Sequence, residues 1–210
     1  LCSQMWCEKQ LEFSFSKPRI RTAEMKKGEG IHSQKEQEIY ELVEVRPRTW
    51  QDRIIMDLNN GVTALEGLEE SGMAREIKLW GRFNSLKIVG VADELKTEDG
   101  RLVLSDTKTR KSPTMPRSAQ QRPTRFQLMA YCKLLDDIKS GRYTAKDLLR
   151  HYWQKADAVA TDDFIKQHKE LGQGFEPSML KAAEGMFALV WGLPEIGGLQ
   201  VSYEYQGDGK

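Results

Sequence analysis

Asp93, Asp106 and Lys108 have the types and spacing that phosphate chemistry needs. Asp106 and Lys108 are two residues apart in Arg101 to Thr109 (RLVLSDTKT), which reads as a β-strand. Side chains alternate along a strand, so both project from the face that carries Leu102 and Leu104. Asp93 ends the preceding apolar run, Leu86 to Asp93, and the Glu98-Asp99-Gly100 turn folds the two runs into a hairpin. The two carboxylates then lie close together with Lys108 beside them. Carboxylates on neighbouring strands repel unless a cation separates them. Mg²⁺ (or Mn²⁺) suits oxygen donors of this kind, often one or two carboxylates completed by water and substrate phosphate. A lysine beside the metal would steady a phosphate or hold the attacking water. That is a kit for phosphodiester hydrolysis. An isolated D-x-K is usually an ordinary hairpin with surface ion pairs. Here the pattern is longer: Gly90-Val91-Ala92-Asp93-Glu94, the hairpin, Asp106-Thr107-Lys108, then Gln127-Leu128-Met129-Ala130-Tyr131 on a helix.

The elements that must position these residues follow from periodicity. Residues 29–45 read as a surface helix with a narrow apolar stripe. Residues 46–73 are ambiguous, with a turn signal at Asn59-Asn60-Gly61. Residues 76–109 read as three antiparallel strands. Helical spacing resumes from Phe126 to Ile138. A variant capping box stands at Thr144 to Asp147, and helices follow over Asp162–Leu171 and Pro177–Trp191. Leu199, Val201, Tyr203 and Tyr205 alternate with polar residues as a final strand. The order predicts an α/β fold, a mixed central sheet flanked by helices.

Charge is uneven along the chain. The 210 residues carry 32 Lys+Arg against 31 Asp+Glu, a net +1 that excludes a polycation and an acidic tail protein. Yet residues 107–135 contain seven basic residues and no acid. Arg110, Lys111, Arg117, Arg122 and Arg125 form a basic run beside the D-x-K, where a phosphate backbone would lie. Pro113, Pro116 and Pro123 suggest an extended loop over its first half. Phe126 and Tyr131 are nearby stacking candidates for single-stranded substrate, with Trp50, Trp80 and Trp153 further off. No stretch reaches the ~18–20 apolar residues of a spanning helix, so no membrane is expected. Three cysteines cannot all pair with each other, which argues for a reducing compartment.

The combination GVADE, LVLSDTKT and RFQLMAYCKLLD resembles the PD-(D/E)xK nuclease superfamily in its RecB-like branch, and within it the eukaryotic exonuclease V family. The resemblance runs from Trp6 to the final strand and implies one nuclease domain over residues 1–210 with a PD-(D/E)xK core. It implies that Asp93, Asp106 and the Thr107 carbonyl hold one or two Mg²⁺ ions, that His32 adds a ligand, and that Lys108 is the catalytic lysine. Glu36, four residues after His32, is a weaker addition to that site. Gln127 and Tyr131 correspond to the helix motif bordering the site, and their i, i+4 spacing places both on one helix face. The family also implies a [4Fe-4S] site of four cysteines, of which Cys7 matches the first. The clustered three are absent before Lys210, so the expectation is a chain that stops short of them.

The implied activity is 5′ to 3′ exonucleolytic hydrolysis of single-stranded DNA in genome maintenance. The implied partners are single-stranded DNA and a single-strand-binding protein, in the nucleus or mitochondrion. Another RecB-like nuclease would share every motif named. A non-catalytic single-stranded nucleic-acid-binding module would use the basic run alone. A structural α/β domain would use its charged strand ends as ion pairs. Oligomeric state is left open by the sequence.

Overall fold

A computed structural model of the chain describes residues 8–17, 22, 27, 30, 45–172 and 174–206. Most of the helix expected over 29–45 lies outside these residues, as do Cys2, Trp6, Cys7, His32 and Glu36. In chain order the elements are α1 (Glu8–Ser16), α2 (Trp50–Ser71), β1 (Met73–Phe83), β2 (Leu86–Glu98), β3 (Arg101–Arg110), α3 (Ser118–Lys139), α4 (Ala145–His151), α5 (Asp162–Glu170), α6 (Met179–Gly192) and β4 (Ile196–Tyr205).

The sheet is mixed, in the order β1-β2-β3-β4. The first three strands form an antiparallel meander and β4 runs parallel to β3. Between β2 and β3, Asp99 and Gly100 both have positive φ (49° and 72°), which a two-residue type I′ turn requires. Helices flank the sheet, as a PD-(D/E)xK-like nuclease core has them. Helix α2 packs on β1 and α6, while α3 crosses all four strands. Trp80, Phe164, Phe187 and Leu134 are among the fully buried side chains at the centre.

Two sequence signals mislead. Asn59-Asn60-Gly61 is the middle of α2 rather than a turn. Asn59 reaches out to a neighbouring segment: its Nδ2 donates to the Glu176 carbonyl (3.0 Å) and its Oδ1 accepts from the Glu176 N–H (2.9 Å). Gly61 lets α6 approach, since a Cβ there would sit 2.7 Å from Met186 Sδ. Tertiary contacts account for both residue types. Likewise α3 begins at Ser118, not near Phe126, and contains Pro123. The start is fixed by side chains: Gln120 Oε1 accepts the Arg117 N–H (3.0 Å) and Gln121 Nε2 donates to the Pro116 carbonyl (2.8 Å). These caps offset the one helical hydrogen bond a proline cannot make.

The capping box at Thr144 is present: Asp147 N donates to Thr144 Oγ1 and Thr144 N donates to Asp147 Oδ2. A second box, Thr49 with Asp52, opens α2. Asp52 is fully buried and also accepts the Thr161 N–H (2.8 Å) and the Thr161 hydroxyl (3.1 Å), tying the start of α2 to the start of α5.

Candidate active site

The site forms where regular pairing fails. β1 and β2 keep one register on either side of Glu76 and Asp93, with Arg75 opposite Glu94 and Ile77 opposite Ala92. The alternation of buried residues nevertheless slips there. Ala74 and Ile77 are both buried on β1, as are Leu95 and Ala92 on β2. Glu76 adopts φ 55°, a left-handed backbone that costs a non-glycine residue about 1–3 kcal/mol. The β2–β3 ladder runs from Glu98–Arg101 to Glu94–Ser105 and does not include Asp93 and Asp106. Beyond its end, Asp93 Oδ2 accepts the Thr107 backbone N–H at 3.1 Å. A carboxylate thus holds the strand where a backbone carbonyl would otherwise do so.

Asp106 lies on β3 and is 1% exposed. Lys108 Nζ is 2.8 Å from each of its carboxylate oxygens, with the lysine side chain 36% exposed. One end of the ion pair is therefore desolvated and the other faces solvent. The face shared by Leu104, Asp106 and Lys108 continues onto β4, because the parallel register sets Leu199 beside Leu104, Val201 beside Asp106 and Tyr203 beside Lys108.

Helix α3 covers this face. Gln127 Nε2 donates to Tyr131 Oη at 2.9 Å, one helical turn apart. The Tyr131 ring lies on Gly90, where a Cβ would overlap its Cε1 and Cδ1, and Leu134 lies on Gly81 in the same way. The glycine of G-x-x-D and the tyrosine of Q-x-x-x-Y are thus one packing contact. The structure gathers Asp93, Asp106, Thr107 and Lys108 where β2 and β3 part. It places Gln127 and Tyr131 on the helix over the same sheet.

Among the described residues no three His, Cys, Asp or Glu side chains cluster as a metal site. Asp93, Asp106 and the Thr107 carbonyl are hard oxygen donors, and Mg²⁺ commonly takes one or two carboxylates with water and substrate phosphate. The donor chemistry therefore fits such an ion. An iron–sulfur site takes four thiolates, and the 210 residues carry three cysteines, of which Cys2 and Cys7 lie outside the described residues. The third, Cys132, is half-buried on α3, where burial and the nearby Asp136 charge push its thiol above the ordinary range, away from a thiolate ligand.

The basic run follows this site along the chain. Lys111, Arg117, Arg122 and Arg125 are exposed, on the loop after β3 and on the first turns of α3. Arg110 ends β3 with its guanidinium 5.8 Å from the Tyr203 ring centre. Trp80 is no stacking platform: it is fully buried and donates its Nε1–H to Tyr152 Oη at 2.9 Å. Tyr203 escaped sequence reasoning because its neighbourhood with Lys108 depends on a parallel pairing across a long crossover. Among the described residues no helix is long and apolar enough to cross a membrane.

Residues 1–101 and 96–187 match the model of a family described as "Exonuclease V - a 5' deoxyribonuclease". The chain is similar to exonuclease V of Danio rerio, 31% identical over 218 residues that cover 99% of this chain and 54% of the relative. It therefore spans about half the length of that curated relative. The matched region contains Gly90, Asp93, Asp106, Lys108, Gln127 and Tyr131, the residues that the sheet and α3 bring together, and on that match the chain belongs to the exonuclease V family.

Proposed function

We propose that this protein is a metal-dependent deoxyribonuclease that degrades single-stranded DNA from an end, in the 5′ to 3′ direction. The observation that carries the reading is the pairing failure that brings Asp93 onto Thr107, next to a buried Asp106 held by Lys108. The basic run beside it supplies sequence-independent attraction for a phosphate backbone.

In this reading Asp93, Asp106 and the Thr107 carbonyl would hold Mg²⁺ or Mn²⁺, with His32 as a further ligand. The ion would lower the pKa of a bound water and offset charge growing on the leaving oxygen. The protein does the rest. Asp93 fixes the Thr107 backbone through its N–H, so the Thr107 carbonyl and the flanking Asp106 and Lys108 are held in one orientation. Lys108, anchored on Asp106, presents a cationic donor to the scissile phosphate and the attacking water. The water oxygen bonds to phosphorus as one ester P–O bond breaks, and the leaving oxygen takes up a proton. Gln127 and Tyr131 hold α3 against Gly90 and so close the site from above. Single-stranded DNA is the proposed substrate, with a single-strand-binding protein as a partner.

The test is end-labelled single-stranded DNA incubated with Mg²⁺ or with EDTA, using the wild type, Asp106→Asn and Lys108→Ala. Metal-dependent shortening from the end, abolished in both variants while their thermal melts persist, is the expected result. Binding without cleavage by any version overturns the reading in favour of a non-catalytic binding module.

A further inference from the structure

A cleft of about 440 Å³ opens between α3 and the edge strand β4. That volume falls within the roughly 300–1,000 Å³ of small-ligand sites. Its floor is Leu199, Val201 and Tyr203, the β4 residues that share a face with Leu104, Asp106 and Lys108. Cross-strand neighbours are about 4.8 Å apart, so the floor lies one strand away from Asp106 and Lys108. Three of the exposed large apolar side chains converge there: Met115 (68% exposed), Met129 (61%) and Leu199 (41%). Exposure of this kind, gathered in one place, marks a binding surface.

The charges around the cleft indicate what binds. Arg125 lines it and is held by a bond from its Nη2 to Gln121 Oε1 (2.8 Å). Arg110 lies over the Tyr203 ring, and its buried Nε has no hydrogen-bond partner among the described residues. The segment joining these two arginines contains no acid. A floor with one aromatic ring, thioether side chains across the cleft from it and a cationic rim match a nucleotide, with its base in the cleft and its phosphate at the rim. We infer that this cleft is a nucleoside subsite, in which a base of the DNA strand next to the scissile phosphate stacks on Tyr203 and Met129.

This rests on the nuclease reading and adds a prediction which that reading does not make: the protein senses bases as well as phosphates. The experiment is equilibrium binding by fluorescence anisotropy in EDTA. It compares a thymidine oligonucleotide with one of equal length whose terminal nucleotides are abasic, so that phosphate charge is the same. The wild type should prefer the base-bearing strand by about ten-fold, in line with stacking on one aromatic platform. Tyr203→Leu and Met129→Gln should lose most of that preference with affinity for the abasic strand unchanged, and Tyr203→Phe should keep it. Met129 is exposed, so its variant tests the cleft without a folding penalty. Equal affinity of the wild type for both strands overturns the subsite, and is what a cleft reserved for a polypeptide segment would give. Retention of the preference by both variants overturns it too. Failure to bind either strand overturns subsite and nuclease reading together. Mg²⁺-dependent cleavage with no base preference overturns the subsite alone.

Discussion

The ring of Tyr131 occupies the space in which a side chain at Gly90 would begin. The aromatic ring therefore lies directly on the strand backbone, and the Q-x-x-x-Y helix is seated by the absence of an atom. Gly90→Ala should lower stability by about 1–3 kcal/mol through overpacking, read from urea unfolding. Adding Tyr131→Ala should recover part of the loss, a non-additivity expected of residues that touch. Wild-type stability for Gly90→Ala would contradict the close approach.

Under the proposed function Asp93 has two roles that one substitution separates. In Asp93→Asn the side-chain oxygen still accepts the Thr107 N–H, so the strands should stay in place and the melting temperature should change little. The charge is gone, so nuclease activity should fall by more than the roughly 10–100-fold typical of changes around a metal site. Rates and melts on the same sample check this. An active Asp93→Asn would show that only the hydrogen bond matters.

Removal of Lys108 leaves the buried Asp106 carboxylate without its cation. Breaking a fully buried pair costs about 3–5 kcal/mol. Lys108 is partly exposed, and solvent screening reduces the expected loss for Lys108→Ala to about 1–2 kcal/mol. Millimolar Mg²⁺ should raise the melting temperature of this variant more than that of the wild type, because the ion takes the place of the ammonium. Equal shifts would argue against metal binding at Asp106.

Asp52 gives a pH signature away from the active site. Burial opposes its ionisation. The hydrogen bonds from the Thr161 N–H, the Thr49 hydroxyl and N–H, and the Thr161 hydroxyl together outweigh burial and hold its pKa below the usual 3.8. A carboxylate depressed on folding stabilises above its unfolded pKa, and the contribution is lost as pH falls through the folded value. Asp52→Asn should therefore be less stable than wild type at pH 7, by about 2 kcal/mol for the missing cap and bonds. The gap should narrow below pH 3.8. Chemical denaturation between pH 7 and pH 2.5 checks both statements.

The meander and the α/β order are legible because their signals are local. Asp99-Gly100 accepts positive φ at both positions, and strands of alternating polarity flank it. Thr144 and Asp147 spell their own cap. Features set by distant parts of the chain are harder to read. Asn59 and Gly61 look like a turn until Glu176 and Met186 arrive to use them. The hairpin alone sets Asp93 and Asp106 near each other, and their strands do bring them to one place. The bond from Asp93 to Thr107, however, depends on a slip in both β1 and β2 that no period announces. Tyr203 has no motif around it, and its place beside Lys108 comes only from the parallel register.

The basic run should show itself through salt. Each phosphate that a side chain no longer neutralises flattens the slope of log K against log salt by about 0.7 for single strands. Arg117→Gln with Arg122→Gln should flatten the slope by about 1–1.5 and weaken binding uniformly across sequences. An unchanged slope would place the DNA backbone elsewhere.

The parallel partnership of β3 and β4 has a consequence for the order of assembly. The turns of the meander are two residues long, so Asp93, Thr107 and Asp106 can meet while only a short piece of chain is structured. β4 must wait until residues 111–195 have folded into the crossover, because non-local pairing is slow to form. Asp93 and Asp106 are thus in position early, and β4, which carries Leu199, Val201 and Tyr203, is the last part of the sheet to be laid down. On the proposed function, a chain caught midway in folding would carry the candidate metal ligands without the cleft beside them.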